Sequence, residues 1–389
     1  MSEQVTIAGA YEMRPGRYPE LDALDLFREV LKGAMRAWPA VRPQDIDGLL
    51  ASPSGGVAGV DTYVHDRLIS ELGIRPCFVE TVNLGGGTFV AMVDRAAMTI
   101  RAGRASAVLC VTGGKFMKPS AGGGELMARA ISDRDLEVPY GTFIPALYGL
   151  IASQFMAEHK VTAEDLARVA VSARKWALLN PIARMHKAGP LTIEDVLSSR
   201  MVCSPFHYLD CSLPTDGGGA VLVTRADLGR KWAQQPAYVL GYGERHLRGT
   251  VSDAGDLTQT GAVYSGAEAF RRAGLTPKDI DVAQIYDAFS STPLILLENL
   301  GFCGPGEAAA FVRSGAIDPG GSLPVNTYGG LMSFGHTGDS SGMSLLTAGA
   351  FQTMGLAGPT QVDKADRVLI HAYGGMMYDH ATLILGREA

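Results

Sequence analysis

Apolar residues recur three and four positions apart at Leu24, Phe27, Leu31, Ala34 and Trp38, the spacing that lays one apolar stripe along a helix. Pro39 and Pro43 then stop it. Gly48 to Ala51 reads as a short strand. From Phe89 to Arg101 the chain is apolar nearly all round (Val90, Met92, Val93, Ala96, Ala97, Ile100), interrupted by Asp94 and Arg95. A helix with so little polar face is expected to be buried. The run Ala105 to Val111 predicts an interior strand. The later chain repeats this plan at Ala267 to Ala273, Val282 to Ile285, Ser341 to Met354 and Arg367 to Ile370. Strand–helix alternation predicts an α/β fold with mostly parallel sheets covered by helices. Two such sheets sharing central helices make a five-layer sandwich.

The repetition extends to wording. Arg42-Pro43-Gln44-Asp45-Ile46-Asp47 recurs as Thr276-Pro277-Lys278-Asp279-Ile280-Asp281, Val82-Asn83 as Val325-Asn326, and Gly113-Gly114 as Gly374-Gly375. Each pair alone is ordinary turn chemistry, but all three keep their order, which indicates two copies of one unit. The expected organisation is a first half over residues 1–116, an inserted loop or lid over 117–204, closing strands of the first half over 205–235, and a second half over 236–389. The insert has no counterpart in the second copy. It holds a Gly-rich segment, Ala121 to Gly124, and a helix near Ala163 to Trp176.

At 389 residues the chain can bury a large core. The net charge of −6, without a run of Lys or Arg, argues against nucleic acid or an anionic membrane as the main partner. Five scattered cysteines (Cys77, Cys110, Cys203, Cys211, Cys303) suit a reducing cytoplasm. No export leader is visible. The apolar stretch Phe143 to Met156 is too short to span a membrane and carries Pro145, Ser153 and Gln154.

The segment Asn326-Thr327-Tyr328-Gly329-Gly330, followed by Gly335-His336-Thr337-Gly338-Asp339-Ser340-Ser341-Gly342, resembles the thiolase signature, Asn-x-x-Gly-Gly and then Gly-His-Pro-x-Gly-x-Ser-Gly. Tyr286-Asp287-Ala288-Phe289 is similar to that family's Asn-Glu-Ala-Phe box, and His371-Ala372-Tyr373-Gly374-Gly375 stands where thiolases carry Cys-x-Gly-Gly-Gly. Asn180-Pro181, Leu191 to Met201, Leu209 to Ser212 and Asp216 to Ala220 resemble the sterol-carrier-protein type. The resemblance implies the thiolase fold: two duplicated βαβαβαββ halves in an α-β-α-β-α sandwich with an inserted loop domain.

The chain also departs from that family. Aligned on Ala91, Gly85 stands where thiolases place a nucleophilic Cys at the start of a buried helix, and His371 replaces the second Cys. A ping-pong acyl-cysteine mechanism lacks its nucleophile. Thr88 is a conceivable substitute, but a hydroxyl at a helix start is more often a cap. The turn Gly85, Gly86, Gly87, Thr88 offers N–H donors for a developing negative oxygen. The family resemblance implies that Tyr286 and His336 face the pocket as an acid/base pair. His371 is expected beside them as a third catalytic side chain, and Asp287, Asn326, Tyr328, Tyr373 and Gly374 as substrate-binding positions. Steroid side-chain aldolases look similar, with a Tyr-Asp-x-Phe box and a second Tyr at the place of His336; Gly301 to Glu307 fits that branch too.

The expected function is therefore an enzyme acting on acyl-CoA thioesters, making or breaking a C–C bond by retro-aldol or Claisen-type chemistry. The alternatives are a Cys-independent acyltransferase and a silent acyl-CoA-binding subunit. No tightly bound cofactor is expected, coenzyme A being part of the substrate, with Arg174, Lys175 and Arg184 as candidate phosphate contacts. A homodimer and a small OB-fold, zinc-ribbon partner are the expected associations. Two rival motifs carry less weight. Gly338-Asp339-Ser340-Ser341-Gly342 fits a nucleophile elbow but follows no apolar strand, and Cys203, His207 and Cys211 have metal-like spacing without a fourth ligand.

Overall fold

The computed structural model describes residues 4–53, 63–116 and 123–389; Ala121 and Gly122 of the Gly-rich segment lie outside the described residues. Its first half alternates β1 (Val5–Glu12), α1 (Ala23–Ala37), β2 (Gly48–Ala51), α2 (Val64–Leu72), β3 (Phe78–Thr81), α3 (Thr88–Arg101) and β4 (Ala107–Gly114). An excursion follows through α4 (Gly123–Ala130), α5 (Ile144–His159), α6 (Ala163–Leu179), α7 (Ile193–Ser198) and a ribbon of β5 (Met201–Cys203) and β6 (Phe206–His207). Then come β7 (Gly217–Arg225) and α8 (Ala226–Trp232). The second half runs β8 (Ala237–His246), α9 (Ala262–Ala273), β9 (Val282–Ile285), α10 (Ser291–Asn299), α11 (Ala308–Arg313), α12 (Gly342–Met354), β10 (Arg367–Gly374) and β11 (Asp379–Gly386).

The strand order β3-β2-β4-β7-β1-β8-β11-β10-β9 is nearly a palindrome of the two copies. In the first half β2 pairs in parallel with both β3 and β4, and β7 closes antiparallel between β4 and β1. In the second, β9 and β10 are parallel, and β11 closes antiparallel between β10 and β8. Val325 makes a single parallel bridge to Ala283 where β3 would have its counterpart. The halves meet through β1 and β8 at Thr6↔Tyr238 and Ile7↔Ala237. That short ladder joins what the sequence reading treats as two sheets into one of nine strands.

The repeated hexapeptide has a repeated job. Pro43–Asp45 and Pro277–Asp279 each form one 3₁₀ turn ahead of β2 and β9. Asp47 then accepts the N–H groups of Ser106 and Ala107 at 2.9 and 2.8 Å, and Asp281 those of Asp366 and Arg367 at 3.0 Å. Each carboxylate thereby fixes where the neighbouring strand begins. Strand alternation splits the core. Leu50, Val108, Cys110, Val221 and Val223 join α3 in the larger cluster, whereas Leu49, Leu109, Val111 and Leu222 pack on Phe27, Val30, Leu31 and Ala34 of α1. α12 packs against α3 and touches β1 and β7 as well as β9 and β10, while α9 covers β8 and β11. The layers thus run helix, sheet, helix, sheet, helix. Among the described residues, no helix is long and apolar enough to cross a membrane.

Candidate active site

Two helix starts and the end of β9 converge. At the head of α3, Gly85 is left-handed (φ +54°), and a Cβ there would lie 2.9 Å from Gly374 Cα. A side chain at this position is both strained and crowded. Gly374 in turn has no room, since its Cβ would stand 2.1 Å from Leu84 O. Thr88 Oγ1 donates to Gly85 O at 2.6 Å and accepts from Leu84 N–H at 2.8 Å. Its hydroxyl closes the turn and is not poised for attack. Gly85, Gly87 and Thr88 spend their N–H groups inside this turn, which leaves that of Gly86 for another acceptor. A Cβ on Gly86 would fall 2.5 Å from Tyr286 Cε2, so the tyrosine ring lies directly on the turn.

Tyr286 follows β9, its N–H bonded to His371 O at 3.0 Å. Ser341 Oγ donates its single proton to Gly338 O at 2.6 Å, so at 2.6 Å from Tyr286 Oη it accepts. The tyrosine proton being used there, His336 Nε2, 3.1 Å from the same oxygen, carries a hydrogen and donates. Nδ1 of His336 is then a bare acceptor, buried and without a hydrogen-bond partner among the described residues. Burial pushes the imidazole down to about 4, so it is neutral at pH 7. The loop is held by His336 N–H on Leu213 O at 2.7 Å and by Thr215 N–H on His336 O at 2.9 Å, and Phe116 meets the ring edge-on at 5.8 Å. Ser341, which completes the constellation, was passed over in the sequence reading. The signal for it was the Ser of the signature's own Ser-Gly ending.

The other expected positions divide. Tyr373 joins the centre, its ring 4.8 Å from Tyr286 in an edge contact. His371 does not. Its Nδ1 meets Thr382 Oγ1 at 2.8 Å and its Nε2 meets His380 Nδ1 at 3.1 Å; Thr382 bonds Ser265 of α9 at 2.9 Å. Alternation along β10 turns this side chain toward the outer helix, because Val368 and Ile370 take the face against Gly349 of α12. Asn326, itself left-handed (φ +53°), spends its amide on the backbone of Ile285 at 2.7 and 2.8 Å, acting as a surrogate strand edge. Asp287 accepts Leu331 N–H at 2.8 Å under a π-type turn, Gly330–Phe334. Burial raises its carboxyl to about 7. Tyr328 packs on Phe334 at 5.3 Å.

Arg174 is 7% exposed, with Nε 3.4 Å from Ser333 Oγ and an N–H to Gly189 O at 3.2 Å. Lys175 pairs with Asp318. Both are already engaged, which weakens them as phosphate contacts. Ser340 receives a hydrogen bond from Thr112, which also meets Ser52, so this hydroxyl chain contains neither histidine nor carboxylate and no nucleophile elbow forms. His207 faces Asp210, and among the described residues no three His, Cys, Asp or Glu side chains gather as a metal set.

Two cavities flank the turn 330–334. One, of about 50 Å³, reaches Met332 and Ser333 from the side of Arg174 and Ser212. The other, of about 230 Å³, lies against Tyr328, Phe334 and one face of α12.

Residues 243–387 match the thiolase C-terminal domain-like family. The chain is 31% identical to the 17-hydroxy-3-oxo-4-pregnene-20-carboxyl-CoA lyase of Mycobacterium tuberculosis over 97% of this chain and 95% of that one. It is 33% identical to a steroid side-chain-cleaving aldolase of Thermomonospora curvata over 75% and 76%. Among solved structures, the Ltp2-ChsH2(DUF35) aldolase shares the fold with a TM-score of 0.86 at 29% identity, covering 98% of this chain and 97% of that one. Sequence kinship along almost the entire length thus agrees with the duplicated architecture, and the chain belongs to the thiolase superfamily, in the branch of the sterol-carrier-protein-type thiolases and side-chain aldolases.

Proposed function

We propose that the protein acts on acyl-CoA thioesters and breaks or makes a carbon–carbon bond by retro-aldol or Claisen-type chemistry, without a cysteine nucleophile. One observation carries this reading: the Tyr286 hydroxyl is held between a neutral His336 and Ser341, over a turn whose thiol position is Gly85. The lyase and aldolase named among its relatives support the same class.

In this reading the β-hydroxyl proton of a β-hydroxyacyl-CoA passes to His336 Nδ1 and the C–O bond becomes a carbonyl. The Cα–Cβ electron pair moves into the thioester as an enolate, whose oxygen takes the Gly86 N–H. Tyr286 gives its proton to Cα and is refilled from His336 Nε2. One proton has entered the imidazole and one has left it, so the ring ends in its other tautomer and resets by exchange with water. The products are a ketone or aldehyde and a shortened acyl-CoA. Direct acyl transfer between two bound partners and silent acyl-CoA binding are set aside, because neither requires such a proton-transfer pair.

Coenzyme A enters as part of the substrate, and no tightly bound cofactor is invoked. The two-component name of the Ltp2-ChsH2(DUF35) aldolase supports a partner subunit, for which a small OB-fold, zinc-ribbon chain is proposed. β3 is an edge strand with Val79 exposed, and an unpaired edge recruits another strand. A homodimer through β3 is the proposed minimum, and the cysteine usage fits the cytoplasm. The test is to purify the chain with whatever subunit accompanies it and present a panel of β-hydroxyacyl-CoA thioesters. Release of a carbonyl product with no acyl adduct on any cysteine is expected; a covalent acyl-cysteine detected by mass spectrometry refutes the mechanism.

A further inference from the structure

The larger cavity is built differently from an unused packing defect. It runs beside α12 from Ser344 to Phe351, and opens where Leu356, 61% exposed, and Pro359 follow that helix. Its walls are apolar, with Ile182, Phe334, Ala348 and Phe351 prominent, and neither lysine nor arginine lines it. At one end stands Glu12, the last residue of β1, whose Oε1 accepts from Ser344 Oγ at 2.5 Å and Oε2 from Thr347 Oγ1 at 2.8 Å. Burial pushes this carboxyl up to about 8, so at neutral pH it carries a proton that it can donate. Tyr328, also lining the cavity and 5% exposed, has a hydroxyl with no hydrogen-bond partner among the described residues. Two buried donors therefore border an apolar space that supplies them no further acceptor. A buried donor left unmade costs more than a bond contributes, so a ligand oxygen gains there.

The cavity also adjoins the proposed chemistry. Phe334 precedes His336 by one intervening glycine, and Ser344 lies one helical turn beyond Ser341. We propose that this cavity lodges the apolar body of the substrate and hydrogen-bonds a carbonyl or hydroxyl oxygen at its far end through Glu12 and Tyr328, an assignment that rests on the acyl-CoA reading above. Size narrows the class. A dry cavity of about 150 Å³ accepts benzene, so one of about 230 Å³ suits a fused bicyclic body better than a short acyl chain. The absence of basic residues in its lining excludes an anionic end group.

Binding of α-tetralone, a bicyclic ketone, and of tetralin, the same skeleton without oxygen, tests this on the full chain with any accompanying subunit. Ligand-observed NMR titration is expected to give saturable binding of α-tetralone to the unaltered protein. Tyr328→Phe is expected to weaken α-tetralone roughly five- to tenfold, the effect of one hydrogen bond, and to leave tetralin within about twofold. Ala348→Phe fills the space and abolishes both; should it fail to fold, Ile182→Trp serves the same purpose. No saturable α-tetralone binding, or equal weakening of both ligands by Tyr328→Phe, overturns the assignment. These readouts need no turnover. Loss of the cleavage reading leaves them standing, and their failure leaves thioester cleavage standing.

Discussion

Replacing Tyr286 by Phe removes one oxygen and little else. The ring keeps its place on Gly86, where a Cβ would be 2.5 Å away, and its 4.8 Å edge contact with Tyr373. Two hydrogen bonds go, to Ser341 at 2.6 Å and from His336 Nε2 at 3.1 Å. Ser341 still donates to Gly338 O, so it loses only an incoming donor. His336 loses its acceptor entirely, and one buried N–H without a partner costs about 1–3 kcal/mol. The expected stability loss is of that size, read by urea unfolding at pH 7. The catalytic effect should be larger, because a positioned acid–base group contributes about 10²–10⁴-fold. kcat for release of the shortened acyl-CoA should fall by that factor with KM little changed, since the shape of the site is retained. Deuterium incorporation at Cα of the product in D2O should slow in parallel. If the stability loss appears but kcat stays within about twofold, the hydroxyl is only structural and the proposed proton path is wrong.

Gly86→Ala should displace the Tyr286 ring, because the new methyl would also meet Tyr373 O at 2.5 Å; activity should drop at least as far as in Tyr286→Phe, with a changed near-UV circular dichroism spectrum. Restoring the missing thiol as Gly85→Cys should not restore a thiolase. At φ +54° with Gly374 Cα 2.9 Å away, the variant should lose about 1–3 kcal/mol from backbone strain alone and show no acyl adduct by mass spectrometry. Acid should destabilise the fold. The folded-state values of His336 and His380 are depressed to about 4 and 3, so the unfolded chain takes up protons first, and stability falls as pH drops below about 6.5, by roughly 3 kcal/mol from His336 alone. Glu12 runs the other way: raised to about 8, it makes folding take up a proton, and stability is lost as pH rises from the unfolded carboxylate range. Glu12→Gln should therefore improve against the unaltered protein between pH 4.5 and 8, and a constant difference in unfolding free energy would contradict the buried neutral acid.

The layered fold was legible because it rests on local regularities. Helical spacing at Leu24 to Trp38 and the apolar circumference of Phe89 to Arg101 depend on neighbours within a few residues, and α1 and α3 form there. The recurring Pro-x-Asp-Ile-Asp sequences report a shared task, the pinning of the next strand by Asp47 and Asp281. Gly85 could be aligned with the absent cysteine through motif register alone.

Side-chain destinations were different. Whether His371 faces the central helices or α9 is set by its register between β9 and β11, and no local pattern shows which face a strand end presents. The amide of Asn326 is consumed by Ile285 because the strand expected beside β9 shrinks to one bridge. The Tyr286–Ser341 bond joins residues 55 positions apart, and the Glu12–Ser344 bond residues 332 apart. Sequence alone determined the duplicated layers and the absence of a thiol at the head of α3, since both follow from spacing along the chain. Only closure of the two halves around α3 and α12 decided which hydroxyls, imidazoles and carboxyls meet, because hydrogen bonds depend on ångström distances between segments that the chain itself leaves far apart.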